Sequence, residues 1–368
     1  MTIERIRVTV DGVSKRYAHR VKGEIYAARN VMLDVRPGEF LTLLGPSGCG
    51  KTTTLRMIAG FEAPDAGQIR FGGQDVTGLP ANQRNIGFVF QNYALFPHLS
   101  VFENVAYGLR VRGQTSAAIA ASVAEVLTLV GLAGYEQQFS GQLSGGEQQR
   151  VALARAIVIA PRVLLFDEPL SNLDAKLRVE MRQEIRNLQR RLAITTVYVT
   201  HDQEEAMAVS DRIAVMNEGT VVQEGTAEDL YHRPASEFVA RFVGRVNLVP
   251  GRVAAVVGAG VDIAALGGTI RVRALPAGLA VGDPVQLIVR PEAIGIGAFA
   301  GAATGALPAT VFARTFLGEK VEYAVRCAGM ALQVVRYTAG PGEILPEGAA
   351  ISLHLVEDAV TVLPASAT

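Results

Sequence analysis

The sequence predicts an α/β domain built on a mostly parallel sheet, followed by a smaller all-β domain. Over about the first 240 residues, short apolar runs alternate with amphipathic helical patterns, as in a parallel sheet covered by helices. After "RFVGRVNLVPG" charged residues become sparse, and short apolar runs stand between Gly and Pro turns. We therefore predict two domains, residues 1–243 and 244–368.

Three apolar runs lack polar alternation and predict strands buried on both faces: 40–45 ("FLTLLG"), 163–168 ("VLLFDE") and 195–201 ("TTVYVTH"). Helices are predicted between them. Ser100 and Glu103 have the spacing of a capping box, and a helix is expected from Ser116 to Val130. The segment 213–225 predicts a hairpin. One helix has an apolar stripe formed by Leu173, Leu177, Met181, Ile185, Leu188 and Leu192.

Composition excludes some classes of protein. The 35 basic and 35 acidic residues cancel, which removes the basic field expected of a dedicated nucleic-acid binder. Two cysteines, Cys49 and Cys327, are too few for a disulfide framework. The uncharged run Ala293–Ala313 has the length of a bilayer span, but its Gly and Pro residues predict turns and short strands. With no apolar leader in "MTIERIRVTV", we expect a soluble cytoplasmic protein.

The segment 45–52, "GPSGCGKT", matches the phosphate-binding loop pattern and stands between a predicted strand and a predicted helix. Its glycines let successive backbone N–H groups point at phosphate oxygens, and the helix N-terminus adds its positive end. Lys51 would reach the β- and γ-phosphates, and the Thr52 hydroxyl would bind Mg²⁺. The alternative is a Gly-rich turn that precedes Lys-Thr by chance.

Four polar side chains follow predicted strands. Asp167 would hold Mg²⁺ through water and Glu168 would polarise an attacking water, because their strand ends at the edge where α/β sheets bind ligands. His201 would donate to the γ-phosphate. Gln91 would complete the Mg²⁺ shell beside an aromatic loop. The alternatives are that the two carboxylates are solvated, that the histidine lies at the surface, and that the aromatic residues after Gln91 fold inward in a turn.

The stretch "GQLSGGEQQR" (141–150) predicts a second anion site. Ser144 and Glu147 have the spacing of a capping box, which accounts for those two residues. It does not account for Gly145 and Gly146, since each glycine lowers helix stability. Glycines at a helix start let an anion approach the backbone closely. Elsewhere, Tyr17 would supply an aromatic platform for a base, with a core or surface role as the alternative.

In this order, the phosphate loop, Gln91, "LSGGEQQR", "LLFDEP", "SNLDA" and "THD" resemble the nucleotide-binding subunit of an ATP-binding cassette (ABC) transporter over about residues 5–240. The remainder resembles the oligonucleotide-binding-like (TOBE) domain that follows the ATPases of bacterial importers, and "RFVGRVN" and "VRPE" support that likeness. The resemblance implies a P-loop NTPase domain over 1–243, with a helical subdomain at about 92–160, and a C-terminal β regulatory domain over 244–368.

The resemblance also implies roles in a head-to-tail dimer. In it the signature segment "LSGG" (143–146) of one chain covers the γ-phosphate of ATP held on the phosphate loop of the other. Glu168 and His201 would be catalytic, and Asp174 would contact the partner chain. Mg²⁺ would be held by Thr52, Gln91 and Asp167. The implied ATP-binding residues are Tyr17, Gly45, Pro46, Ser47, Gly48, Cys49, Gly50, Lys51, Thr52, Thr53, Gln91, Ser144, Gly145, Gly146 and Asp174.

The implied partners are a second copy of the chain, two transmembrane permease subunits and an extracytoplasmic solute-binding protein. A small molecule could regulate the C-terminal domain, and no nucleic acid is expected as a partner. The implied location is the cytoplasmic face of the bacterial inner membrane, as a peripheral protein. The segments "YVTHDQEEAMAVSD" and "DLYHRPASEFVARFVG" are most similar to the ferric-iron and polyamine branch, with phosphonate and sugar importers as alternatives.

Two further classes are alternatives to an importer ATPase. A soluble cassette ATPase acting on nucleic acid or ribosomes usually has two fused cassettes, or long coiled-coil or basic inserts. This chain has one phosphate loop and neither kind of insert. An exporter ATPase generally lacks a C-terminal β domain of this kind.

Overall fold

The computed structural model describes residues 4–19, 23–257, 260–273, 275–298, 306–337, 340 and 342–365. Backbone contacts divide the chain into two units, Met1–Ala227 and Glu228–Thr368. The helices are α1 (Lys51–Ala59), α2 (Val101–Val111), α3 (Ser116–Leu129), α4 (Gly145–Ile157), α5 (Ala175–Leu192), α6 (Gln203–Val209), α7 (Ala227–His232) and α8 (Glu237–Val243).

The strands of the first unit form two sheets. They are β1 (Val8–His19), β2 (Gly23–Val35), β3 (Phe40–Leu44), β4 (Ala66–Phe71), β5 (Gln74–Asp75), β6 (Ile86–Val89), β7 (Val163–Asp167), β8 (Thr195–Thr200), β9 (Arg212–Asn217) and β10 (Thr220–Gly225). The larger sheet has the order β10-β9-β3-β8-β7-β6. All its neighbours are parallel except the β9–β10 hairpin, so the prediction of a mostly parallel sheet is confirmed.

The register of three central strands places their carboxyl ends at one edge of this sheet. Leu44 of β3 lies opposite Thr200 of β8, and Asp167 of β7 lies opposite Val199 of β8. All residues of the three strands are buried, as the unbroken apolar runs predicted. The residues that follow these strands, Gly45 and His201 among them, therefore emerge close together.

Each face of the central sheet has its own core. On one face Tyr198 packs between Phe40 and Phe166, with ring centroids 5.5 Å and 5.3 Å away, and joins the apolar side of α2, α3, α4 and α5. On the other face Leu43 and Leu165 pack with α1 and with the smaller sheet. Because both faces are covered, every position of these strands is apolar or hydrogen-bonded.

The smaller sheet, of order β2-β1-β4-β5, is antiparallel and was not anticipated from the sequence. Its strands bury alternate residues such as Val8 and Val10, but the β1 register shifts between Val10 and Val13, where Gly12 has a φ of 64°. A bulge of this kind breaks the two-residue period. Much of β2 is exposed, which weakens the apolar pattern further.

Helices α2, α3 and α4 lie between β6 and β7 in the chain and pack against one another. The predicted capping box at the start of α2 is present: the Ser100 hydroxyl accepts from the Glu103 amide, and the Ser100 amide donates to the Glu103 carboxylate. α3 starts at Ser116 as predicted and ends one residue early, at Leu129. Together with α5, these helices form the apolar core on their side of the sheet.

The second unit contains two five-stranded antiparallel sheets, of order β13-β12-β11-β14-β20 and β15-β19-β16-β17-β18, around one core. Their strands are β11 (Asn247–Val257), β12 (Gly260–Ala265), β13 (Gly268–Val272), β14 (Pro284–Val289), β15 (Ile294–Ala298), β16 (Leu307–Phe316), β17 (Lys320–Cys327), β18 (Met330–Tyr337), β19 (Ala350–Leu355) and β20 (Val360–Pro364). A C-terminal all-β domain is thereby confirmed.

Backbone contacts group α7 and α8 with the second unit, whereas the boundary predicted from composition follows residue 243. Arg290, in the "VRPE" segment, explains the grouping. Its buried guanidinium donates to the carbonyl oxygens of Ala240 at 2.9 Å, Arg245 at 3.0 Å and Tyr231 at 3.0 Å. It also lies 4.1 Å from the Tyr231 ring centroid. One side chain after β14 thus holds both helices.

The uncharged run after residue 292 forms strands where it is described. β15 and the start of β16 lie within it, and residues 299–305, including Gly301 and Gly305, lie outside the described residues. No helix among the described residues combines the length and the apolar composition needed to cross a bilayer.

Candidate nucleotide site

The loop between β3 and α1 has a shape that only glycine permits at two positions. Gly50 has a φ of 103°, and a Cβ placed there would lie 1.9 Å from the Ala27 carbonyl oxygen. A Cβ on Gly45 would lie 2.4 Å from the Met216 carbonyl oxygen. Gly48, with a φ of 79°, has open space where a Cβ would be. The loop is packed closely on one side and open at Gly48.

The Lys51 ammonium is buried at the base of this loop and donates to the Gly45 and Pro46 carbonyl oxygens, at 2.7 Å and 2.9 Å. Ser47 is exposed, whereas Cys49 is buried and burial raises the pKa of its thiol. The amides ahead of α1 and a cation at its first residue give the loop the features of an anion cradle.

Thr52 and Asp167 meet at the carboxyl edge of the sheet, where the Thr52 hydroxyl donates to the Asp167 carboxylate at 2.9 Å. Burial raises the pKa of the Asp167 carboxyl, and the hydrogen bond from Thr52 acts in the opposite direction. Two oxygen ligands beside a phosphate cradle suit Mg²⁺, which binds through one or two protein groups plus phosphate and water oxygens.

Glu168 and His201 form a second pair at the same edge. The Glu168 carboxylate lies 3.1 Å from Nδ1 of His201, and the side chains are 20% and 56% exposed. Glu168 has a φ of 47°, the left-handed region that non-glycine residues rarely adopt. Its amide donates to the Val199 carbonyl, and its own carbonyl accepts from the Ser171 hydroxyl at 2.9 Å, so flanking segments fix its backbone.

Gln91 lies beside the "SNLDA" segment. Its backbone carbonyl accepts from the Asn172 side chain at 2.9 Å. Its own side chain is exposed, and among the described residues no hydrogen bond joins it to Thr52 or Asp167. The structure therefore brings Thr52 and Asp167 together and leaves Gln91 at the rim, on a loop that faces the same edge.

The loop after Gln91 is held in an unusual conformation. Tyr93 and Ala94 have φ values of 60° and 49°. Arg155 of α4 donates to both of their carbonyl oxygens, at 2.8 Å and 2.7 Å. Residues held in the left-handed region persist only where the surroundings over-determine them. Here the Arg155 guanidinium adds to the hydrogen bonds that the Tyr93 and Ala94 amides donate within the turn.

The signature segment forms the predicted capping box. The Ser144 amide and hydroxyl both donate to the Glu147 carboxylate at 2.7 Å, and these contacts lower the pKa of Glu147. A Cβ on Gly145 would lie 3.1 Å from the Leu173 side chain, and one on Gly146 would lie 3.0 Å from Leu177. The glycines thus admit close packing of the start of α4 against Leu173, which precedes α5, and against Leu177 of α5, a requirement for glycine that the sequence did not indicate.

This segment is separate from the phosphate loop of its own chain. Within the described ranges, no hydrogen bond or ion pair joins Ser144, Gly145 or Gly146 to residues 45–53. Ser144 is exposed, whereas Gly145 is half-buried and Gly146 is buried. Asp174, the N-cap of α5, is also exposed and accepts from the Leu177 amide at 2.9 Å.

Tyr17 lies near the start of α1, on β1. Its ring is 39% exposed, and the Lys15 ammonium lies 5.7 Å from the ring centroid. Burial raises the pKa of the Tyr17 phenol, with a further rise from Glu62, while the Thr53 side chain lowers it. The structure therefore places this exposed aromatic face within reach of the helix that carries the phosphate loop.

Known proteins match both units. The ABC transporter family matches residues 28–171, and the TOBE domain family matches residues 287–363. The Fe(3+) ions import ATP-binding protein of Brucella abortus (strain 2308) is 50% identical over 318 residues, covering 86% of this chain and 87% of that protein. The spermidine/putrescine import ATP-binding protein of Rubrobacter xylanophilus is 46% identical over 351 residues, covering 95% and 91%.

Among solved structures, the dimeric structure of MJ0796, a bacterial ABC transporter cassette, matches with a TM-score of 0.53 and 32% identity, covering 60% of this chain and 98% of that one. A second structure of the same cassette, in a post-hydrolysis state bound to ADP and Pi, matches equally well. The chain therefore belongs to the ABC transporter family, as an ABC ATPase with a C-terminal TOBE domain. The resemblance found in the sequence is confirmed.

The geometry of the phosphate loop leads to a prediction about three glycines. Gly48→Ala should lower the free energy of unfolding by about 1 kcal/mol, from left-handed strain alone. Gly50→Ala should lower it by about 3 kcal/mol or more, because its Cβ also meets the Ala27 carbonyl. Gly73→Ala, at a left-handed and equally open turn, is the control for Gly48→Ala. Denaturant titration without nucleotide checks the order, and equal losses at Gly48 and Gly50 would contradict it.

Proposed function

We propose that this chain is the ATP-hydrolysing subunit of an importer for ferric iron or a polyamine. Its relatives named as importers of Fe(3+) ions and of spermidine/putrescine support this, with near-complete coverage. The observation that carries the catalytic part is the meeting of Thr52, Asp167, Glu168 and His201 at one sheet edge beside the phosphate loop. A phosphonate or sugar as cargo is the alternative that the sequence left open.

In this proposal each residue at the edge has a distinct task. Backbone N–H groups of 47–50 and the Lys51 ammonium bind the phosphates of ATP, and Thr52 and Asp167 hold Mg²⁺, with Gln91 entering from the rim. Bound Mg²⁺ supplies charge neutralisation on the β- and γ-phosphates. Glu168 orients the attacking water and takes its proton, and His201 donates to the γ-phosphate. Tyr17 stacks on the adenine.

The exposure of Ser144 supports a second half of the site that comes from another chain. Among the described residues, no hydrogen bond or ion pair joins Ser144, Gly145 or Gly146 to the phosphate loop of the same chain, and the related cassette MJ0796 has a dimeric structure. We therefore propose a homodimer in which the signature of one chain completes the ATP site of the other, with Asp174 at the contact. Two permease subunits at the inner membrane and a solute-binding protein complete the assembly.

The role of Glu168 can be tested by Glu168→Gln. Turnover should fall by about 100-fold or more, because the amide cannot accept the proton of the attacking water. ATP should still bind and should hold the dimer closed, as measured by light scattering with ATP and Mg²⁺. Glu180→Gln, an exposed position on α5, is the control and should hydrolyse ATP at the wild-type rate. Unchanged hydrolysis in Glu168→Gln would eliminate Glu168 as the base.

Mixed dimers test whether the site is shared. Lys51→Ala removes the phosphate cation. Ser144→Asp keeps an N-cap acceptor for the Glu147 amide, loses the hydroxyl donor to the Glu147 carboxylate, and places a negative charge that repels the γ-phosphate. Each homodimer should be inactive. Mixing the two should restore up to about a quarter of wild-type activity, because random pairing leaves one intact site in half of the dimers of a symmetric assembly. If each site were completed within its own chain, the mixture would stay inactive.

The cargo can be identified with the permeases and solute-binding protein that assemble with this chain in the proposed importer. In vesicles, the binding protein loaded with Fe³⁺, or loaded with spermidine or putrescine, should stimulate ATP hydrolysis, since the loaded partner favours the closed dimer. The same protein offered a phosphonate or a sugar should not stimulate it. Stimulation by either of the latter would contradict the cargo assignment without affecting the catalytic one.

A further inference from the structure

One arginine connects two loops at the catalytic edge. Arg178, one turn into α5, donates from one guanidinium nitrogen to the Leu173 carbonyl oxygen at 3.1 Å and from another to the Asp202 carboxylate at 3.3 Å. Leu173 belongs to the "SNLDA" segment, and Asp202 directly follows His201. A planar guanidinium has its donors in a fixed fork, so two acceptors on one fork keep a nearly fixed separation.

Asp202 fixes the turn that carries His201. Its carboxylate accepts from the Glu205 amide at 3.0 Å as the N-cap of α6, and it also accepts from Arg182 at 3.2 Å. The Asp202 amide donates to the Thr200 hydroxyl at 3.0 Å. Hydrogen bonds therefore hold the residues on both sides of His201, and these bonds fix the backbone from which its imidazole projects.

A buried carboxylate lies under the same turn. Glu205 accepts from the Thr200 hydroxyl at 2.6 Å and from the Tyr198 hydroxyl, and burial raises the pKa of Glu205. Its contacts bind the turn to the end of β8. On the opposite side, Arg178 and Arg182 of α5 hold the turn through the Asp202 carboxylate.

Arg178 also lines the small cleft that contains Glu168 and His201. The separation of those two side chains, 3.1 Å, would change if the turn moved relative to β7. Displacements on the order of 0.5 Å are enough to impair a catalytic arrangement. The bridge from Leu173 to Asp202 is thus placed to set the distance between catalytic groups.

We propose that Arg178 is a positioning residue that makes the orientation of His201 depend on the "SNLDA" loop. This rests on the proposed function, in which that loop meets the second copy of the chain. Contact with the partner fixes the Leu173 carbonyl, the guanidinium transfers that position to Asp202, and His201 then faces the γ-phosphate. Each active site is in this way adjusted by closure of the dimer, which makes hydrolysis cooperative.

The test compares Arg178→Gln with the wild-type, full-length protein. The rate constant kcat should fall about tenfold with KM for ATP within about twofold, the pattern of an interaction needed only in the transition state. The Hill coefficient for ATP should fall toward about 1, because the contact of the "SNLDA" loop with the partner no longer affects the position of His201. Arg178→Lys, which keeps the charge and loses the fork, should show the same change in a milder form.

A double-mutant cycle measures the energetic coupling between Arg178 and Asp202. Asp202→Asn retains an N-cap for α6 but removes the charged acceptor. If the two residues act together, Arg178→Gln in that background should lower kcat by less than about twofold further. Arg190→Gln removes the same charge from an exposed position on the same helix and should leave the kinetics unchanged.

Amide hydrogen exchange measured without nucleotide tests the role of Arg178 independently of the proposed ATPase function. In Arg178→Gln, amide hydrogen exchange should become faster over residues 201–206 and stay unchanged in β3 and β7. Unchanged exchange over 201–206, additive effects in the cycle, or equal changes in kcat and KM would each overturn the role of Arg178. A wild-type dimer that does not hydrolyse ATP would contradict the proposed function instead, and the exchange result would still decide about Arg178.

Discussion

The site depends on the parallel register of β3, β8 and β7. Parallel strands end at the same edge, and this register sets the last residues of all three at the same height, within one residue. Gly45, Glu168 and His201 directly follow these strand ends, so the register alone brings the three residues close together. Burial on both faces holds the strands in this register, because a slip of one residue would exchange the side chains of the two cores.

The strand ends and their motifs could be predicted from the sequence because both depend on local patterns. Unbroken apolar runs locate β3, β7 and β8, and the phosphate loop follows the first of them. The antiparallel sheet of the first unit could not be predicted in the same way, since the bulge near Gly12 and the exposed face of β2 disrupt its periodicity. Burial of a strand leaves a clear signal in its amino-acid composition, whereas the place of a strand at the edge of a sheet does not.

The hydrogen bonds that join one loop to another could not be predicted from the sequence either. Arg155, Asn172 and Arg178 each reach a backbone carbonyl of another segment, and a carbonyl acceptor has no residue type that a sequence pattern can show. The signature glycines illustrate the same limit. Their spacing indicated close approach by some group, but Leu173 and Leu177 of the same chain make that approach in the structure, so the glycines are not by themselves a sign of an anion.

These cross-loop contacts have a common physical consequence. The loop after Gln91 is held by the signature helix through Arg155, and Gln91 itself is held by Asn172 of the "SNLDA" segment. That segment is connected through Arg178 to the turn of His201. Each loop lacks regular secondary structure and would be more mobile without these contacts. Because each is hydrogen-bonded to another, a group that binds at one loop also restricts the others. A bound phosphate and, in the proposed dimer, a second chain would therefore act on the same set of contacts.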